Sequence, residues 1–122
     1  MLSVDLTLSY EAVQSAIRNI EKTVGPTYAL INCAGMAVCG KIEDASENDF
    51  KQMMNLNYFG TVFPIKAVVE GMKSRREGYI VLTGSMASLI GLFGLSAYCA
   101  SKFALRGLAE TLYMEVNIIF LK

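Results

Sequence analysis

The sequence predicts an α/β fold, the middle of a doubly wound parallel sheet with helices on its faces. Two observations predict it. Short apolar runs alternate along the chain with longer stretches whose apolar residues recur at helical spacing, the pattern of strand–helix–strand units. Two of the short runs also stop at small, polar clusters, Asn32-Cys33-Ala34-Gly35 and Thr83-Gly84-Ser85, as chains do where they leave the strand ends of such sheets. With 122 residues and 53% apolar content, the chain can build one core, so residues 1–122 are expected to form a single domain. About three strands and three helices are predicted, fewer strands than a complete doubly wound sheet has, so the domain is expected to be partial.

The elements follow in order. Met1 to Val4 is expected to end a strand that Asp5 closes. From Ser9 a helix is predicted, because Val13, Ile17, Ile20 and Val24 recur at steps of four, three and four. Gly25-Pro26 ends it, since glycine and then proline stop helices. Tyr28 to Ile31 is a short buried strand running into Asn32. Ser46 and Asp49 have the spacing of a capping box and start the next helix. Phe50, Met53, Met54 and Asn57 continue it, then Val62, Ile65, Val68, Val69 and Met72, with Gly60 and Pro64 expected to bend it. Arg75 to Gly78 is a polar turn, Tyr79 to Thr83 a strand, and Ser96 to about Val116 the last helix.

Composition excludes several classes. Eleven basic and eleven acidic residues cancel, and no basic run occurs, which argues against nucleic-acid binding through phosphate neutralisation. Cys33, Cys39 and Cys99 form an odd set without a CxxC pair, so reduced, mostly buried thiols in a cytosol-facing domain are expected. Without histidine, neither a zinc site nor a histidine-based triad has support, and no metal is expected. Residues 78–101 carry no charge, but four glycines and five Ser/Thr residues break the stretch into short apolar pieces. A strand, a glycine-rich loop and a helix start fit better than a membrane span. No secretory signal pattern opens at Met1, and the chain by itself is expected to be soluble.

One spacing carries chemistry. Tyr98 and Lys102 are four residues apart, so a helix puts both on one face, one turn apart. An ammonium held beside a phenol favours the phenolate, and a phenol tuned that way can exchange a proton with an alcohol or carbonyl oxygen near neutral pH. Ser85, thirteen positions before Tyr98 at the end of a strand, can present its hydroxyl to the same oxygen. Ala100-Ser101, between the pair, are small enough to let the helix approach a flat ligand. The alternative is a core tyrosine beside a solvated lysine. Asn57 inside an apolar helix lowers helix propensity and needs partners if buried. It either shapes a kink or orders a water next to Lys102, with Asn55 as its rival. Asn32, Ala34 and Gly35 form either a plain turn or a bare strand end that a nucleotide can approach. Asp5 either caps the following helix or accepts a hydrogen bond from an adenine amino group. Leu89 to Leu95 either completes the core or receives an alkyl chain.

Taken together, Asn32-Cys33-Ala34-Gly35, Asn57-Tyr58-Phe59-Gly60, Thr83-Gly84-Ser85 and Tyr98-Cys99-Ala100-Ser101-Lys102 resemble the short-chain dehydrogenase/reductase family over nearly the whole chain. The resemblance implies a Rossmann-like sheet and a catalytic tetrad of Asn57, Ser85, Tyr98 and Lys102. Tyr98 would be the acid or base, and Ser85 would bind the substrate oxygen. Lys102 would hold the nicotinamide ribose and favour the ionised tyrosine, and Asn57 would anchor a relay water. Asp5, Asn32, Ala34, Gly35, Tyr98 and Lys102 would line the cofactor, NADPH with NADH as the alternative. The phrases INCAGMAV (31–38), LNYFGTVFPIKAV (56–68) and GLFGLSAYCASKFALRGLAETLYMEV (91–116) are most similar to the subgroup that reduces 3-ketosphinganine, a long-chain keto-lipid, to sphinganine. That subgroup implies sphingolipid synthesis at the cytosolic face of the endoplasmic reticulum. Homodimerisation through the helices near 50–73 and 97–116 is also implied. Against the family pattern, the glycine-rich turn and N-terminal βαβ cofactor unit are expected upstream of this sequence, and further strands downstream. Three outcomes are therefore expected, the first two being a reductase by family, and a form that turns over little alone and serves at most as a dimerisation partner. A reductase for another lipid or steroid ketone is the third.

Overall fold

The structure, a computed structural model, describes residues 3–117. Helix α1 spans Tyr10–Val24 and strand β1 spans Ala29–Asn32. A continuous helical rod follows in three parts: α2 (Glu47–Met53), a π-helical turn (Met54–Phe59) and α3 (Gly60–Arg75). Strand β2 (Tyr79–Leu82), a 3₁₀ turn (Met86–Ser88) and α4 (Ser96–Asn117) complete it. The strands pair in parallel, Ala29 opposite Tyr79 through Asn32 opposite Leu82, with the helical rod as the crossover between them. This is the strand–helix–strand unit that the alternating pattern predicts. Residues 3 and 4 are not in a strand, so the strand expected at Met1–Val4 is not seen, and residues 1 and 2 lie outside the described range.

Local chemistry places the element ends. Ser9 caps α1 by accepting from the Ala12 N–H, so the cap falls there and not at Asp5. Asp5 instead closes its own turn, its Oδ1 accepting from the N–H and hydroxyl of Thr7 at 2.9 and 2.7 Å. Those two bonds, the hydroxyl's first, hold the Asp5 carboxyl below its ordinary pKa. Gly25, at φ 93°, ends α1 in a conformation that glycine adopts without strain. Ser46 and Asp49 form the expected reciprocal capping box on α2. At Gly78, φ is 149° and a Cβ would lie 2.7 Å from the Met72 side chain, so only glycine fits the turn into β2.

The core gathers Val13 of α1, Met53 of α2, Ile65, Val68 and Met72 of α3, and Ala97 and Leu105 of α4. Each large side chain buried this way contributes about 1.5–3 kcal/mol. Helix α1 packs on α3, and α3 on β1. Beside β1, an apolar cavity of about 270 Å³ is lined in part by Ile17, Leu30, Asn32, Ala34 and Pro64. Among the described residues, helical cover is seen on one face of the sheet; Ile31, Tyr79 and Val81 on the other are exposed. No helix among them is long and apolar enough to cross a membrane.

Candidate active site

The site is built around a break in the helical rod. Pro64 has no N–H to offer the Gly60 carbonyl, and just upstream the Gly60 N–H reaches back five residues to the Asn55 carbonyl. A π-type bond of this kind inserts one residue into the turn. It falls one turn earlier than the bend expected at Gly60 and Pro64. Gly60 also lets the rod lie against the Asp5–Thr7 turn, since a Cβ there would sit 3.3 Å from the Leu6 side chain.

Asn57 lies in this π turn with 0% exposure. Its Oδ1 accepts from the Met36 N–H at 2.8 Å, and its Nδ2 donates to the Met36 carbonyl and to Ser101 Oγ, both at 2.9 Å. The amide therefore pairs with the backbone beyond β1 as a neighbouring strand would, and neither of its own N–H groups is left unmet. The asparagine thus bonds to backbone from within a π turn, as the kink reading requires, and it also lies beside Lys102, where the water reading puts it. Asn55 points elsewhere, its amide donating to the Thr7 carbonyl at 3.5 Å.

Helix α4 presents Tyr98 and Lys102 on one face, as their spacing predicts. Lys102 is only 6% exposed. Its Nζ donates to the Thr83 carbonyl at 3.2 Å and lies 5.8 Å from the centre of the Tyr98 ring. A Cβ built on Gly35 would be 3.8 Å from that Nζ and 3.3 Å from Asn57 Oδ1, so Lys102, Asn57 and the Gly35 backbone meet at one place. The only ion pairs among the described residues are Lys51–Glu47 and Arg106–Glu110, so no carboxylate neutralises Lys102 there.

Ser85 caps the 3₁₀ turn against which α4 packs, its Oγ accepting from the Ala87 N–H at 3.1 Å. The hydroxyl proton is left to donate. Asn32 ties the two strands together, its amide donating to the Val81 carbonyl at 3.5 Å, and the Thr83 N–H donates to the Asn32 carbonyl at 3.0 Å. Ala34 and Gly35 follow at an exposed strand end. Asp5 lies apart from this cluster, beside the far side of the π turn, with Oδ2 outside its bonds to Thr7.

Above the site, the apolar loop 89–95 is exposed, Phe93 most of all at 91%. It is nevertheless pinned. The Gly40 N–H donates to the Gly94 carbonyl at 2.8 Å, and the Leu92 N–H to Cys99 Sγ at 3.4 Å. The loop is a surface feature and not the core element that one of its two readings expects. Cys99 alone of the three thiols is buried; Cys33 and Cys39 are exposed, against expectation.

Sequence reasoning missed Met36, Thr83 and Ser101. Met36 and Thr83 act through backbone atoms, which no side-chain motif can signal. Ser101 was expected to be a small spacer facing a ligand; it is fully buried and faces Asn57 instead.

A parallel sheet with a tyrosine and lysine one turn apart, a serine at the neighbouring strand end and a buried asparagine defines the class. The profile of the family described as short chain dehydrogenase matches residues 1–118, and the chain belongs to that family. Within it, the chain is 48% identical over 116 residues to a 3-ketodihydrosphingosine reductase of Bos taurus, covering 95% of this chain and 35% of that protein. It is 49% identical over 116 residues to a 3-dehydrosphinganine reductase of Danio rerio, with the same coverage. The chain thus spans about a third of the length of these relatives. Its fold matches a solved structure described as ElxO with NADP bound, with TM-score 0.90 and 30% identity, over 95% of this chain and 47% of that one.

Proposed function

We propose that this chain carries the proton-transfer centre of an oxidoreductase that reduces 3-ketosphinganine to sphinganine with NADPH. The observation that carries the reading is Lys102: a buried ammonium with no carboxylate beside it among the described residues, held next to Gly35, Asn57 and the Tyr98 ring. Burying an unpaired charge works against folding, and such departures gather at functional sites. The names borne by the relatives supply the substrate and its reduction; the NADP in the neighbour's title supplies the cofactor.

The residues present fit a dinucleotide. Ala34 and Gly35 leave the end of β1 bare of large side chains, room that a flat ring needs. Lys102 makes one hydrogen bond, to the Thr83 carbonyl, so two of its three N–H groups remain for a ribose diol. Asp5 Oδ2 is available to an adenine amino group, and Asn32 holds the strand end in place. When bound, reduced nicotinamide supplies hydride to the carbonyl carbon. The chain's own part is to manage the oxygen. Ser85, one of whose two lone pairs accepts from the Ala87 N–H, turns its proton to the ketone oxygen and orients it. The Tyr98 hydroxyl gives its proton to that oxygen as negative charge develops there, and Lys102 steadies the phenolate left behind. Asn57, bound to Met36, holds the floor beside Lys102 and lets a water resupply the proton. The pinned apolar loop 89–95 receives the alkyl chain.

The same reading makes the site one that works on a membrane-derived lipid at the cytosolic face of the endoplasmic reticulum. Exposed Phe59, Phe103, Tyr113 and Met114 on the long helices support homodimerisation, checked by sedimentation. The deciding assay follows ketone-dependent oxidation of NADPH by the purified protein, with 3-ketosphinganine beside a steroid and a retinoid ketone. Preference for 3-ketosphinganine supports the reading. A clear preference for another ketone moves the substrate but keeps the chemistry; binding of NADPH without any turnover favours a partner role for this chain.

A further inference from the structure

We infer that Ser101 is a positioning residue, whose hydroxyl locks Asn57 to the turn of α4 that carries Tyr98 and Lys102. This rests on the reading of those three residues as the site. Ser101 has 0% exposure and lies between Tyr98 and Lys102 in sequence. Its hydroxyl donates to the Tyr98 carbonyl at 2.7 Å and accepts from Asn57 Nδ2 at 2.9 Å.

The proton count makes the arrangement directional. A serine hydroxyl has one proton, and here it goes to Tyr98 O. The Asn57 contact must therefore be a donation from the amide to the serine lone pair. The amide's other N–H goes to the Met36 carbonyl and its oxygen accepts from the Met36 N–H, so its three bonds to Met36 and Ser101 exclude the flipped orientation. In this way the Ser101 hydroxyl and the Asn57 amide together join three segments that approach only on folding: the turn after β1, the π turn and α4. Tyr98 O is also the acceptor that the helix ladder assigns to the Lys102 N–H, so Ser101 grips the peptide group at the base of the tyrosine. A spacer needs none of this. Alanine would be as small, and would leave one buried Asn57 N–H with only the weak sulfur acceptor of Met53 at 3.9 Å.

The test compares Ser101→Ala with Ser101→Thr, which restores the hydroxyl, on two readouts. The first is hydrogen exchange of the Asn57 side-chain amide by NMR in the protein without ligand. The second is steady-state kinetics with NADPH and 3-ketosphinganine well below the melting temperature of every variant. Positioning predicts faster Asn57 exchange in Ser101→Ala, kcat down about tenfold with KM for both substrates within about twofold, and partial recovery of both in Ser101→Thr. If Ser101→Ala melts at a lower temperature but keeps its amide protection and its kcat, the hydroxyl is only structural and the inference fails. Should Tyr98→Phe leave the rate unchanged, the reading of the site fails instead, and amide exchange still decides whether Ser101 holds Asn57.

Discussion

At the scale of single residues, the site depends on close approaches that leave no slack. Tyr98→Phe removes the hydroxyl proposed to protonate the substrate oxygen while keeping the ring beside Lys102. It should lower kcat by about 10²–10⁴-fold with little change in melting temperature, read by steady-state kinetics and calorimetry. Gly35→Ala tests the floor. The added Cβ would sit 3.3 Å from Asn57 Oδ1, an atom that cannot retreat without giving up its bond from Met36. The expected outcome is a loss of about 1–3 kcal/mol in chemical denaturation, with NADPH binding weakened more than stability alone predicts. Asn57→Ala strips partners from the Met36 N–H, the Met36 carbonyl and Ser101 together. Each buried group left unpaired costs about 1–3 kcal/mol, so this variant should be among the least stable at the site.

At the scale of elements, ends and breaks matter more than interiors. The capping box of α2 is readable from spacing alone: the Ser46 hydroxyl and N–H donate to Asp49 Oδ2, and the Asp49 N–H donates back to Ser46 Oγ. The bond from the Ser46 hydroxyl, followed by that from its N–H, draws the Asp49 carboxyl below its ordinary pKa. A carboxyl with a lowered pKa stabilises the folded state above the ordinary carboxylate range and stops doing so as pH falls through the lowered value. Ser46→Ala should therefore cost about 1 kcal/mol at neutral pH, and less in a melt run below about pH 4. An equal loss at both pH values would contradict the coupling. The π turn was harder to foresee. Gly60 and Pro64 announce a disturbance, but where the extra residue goes depends on which side chains the rest of the fold can bury.

At the scale of the whole molecule, the described residues form a two-stranded sheet and leave one of its faces bare. Ile31 is 63% exposed there and stands opposite Val81 in the register. Apolar side chains paired on an open face invite association. Replacing both by an opposite pair, Ile31→Lys with Val81→Glu, should reduce light scattering on concentration and shift the melting temperature little, because exposed positions tolerate exchange. Much of this molecule was readable before folding was considered. The helices, both strands, the α2 cap and the shared face of Tyr98 and Lys102 are local facts, set by helix pitch and turn chemistry within a few residues. What the sequence left open lies between distant segments. Met36 and Asn57 are 21 residues apart and Asn57 and Ser101 are 44 apart, and their hydrogen bonds exist only because the π turn packs against α4 and beside the turn after β1. The choice of the Thr83 carbonyl as partner for Lys102, the exposure of the apolar loop and the burial of Ser101 belong to the same class. Spacing along the chain determined which groups the protein has for its chemistry; tertiary packing decided which of them meet, because burial fixes every donor and acceptor at once.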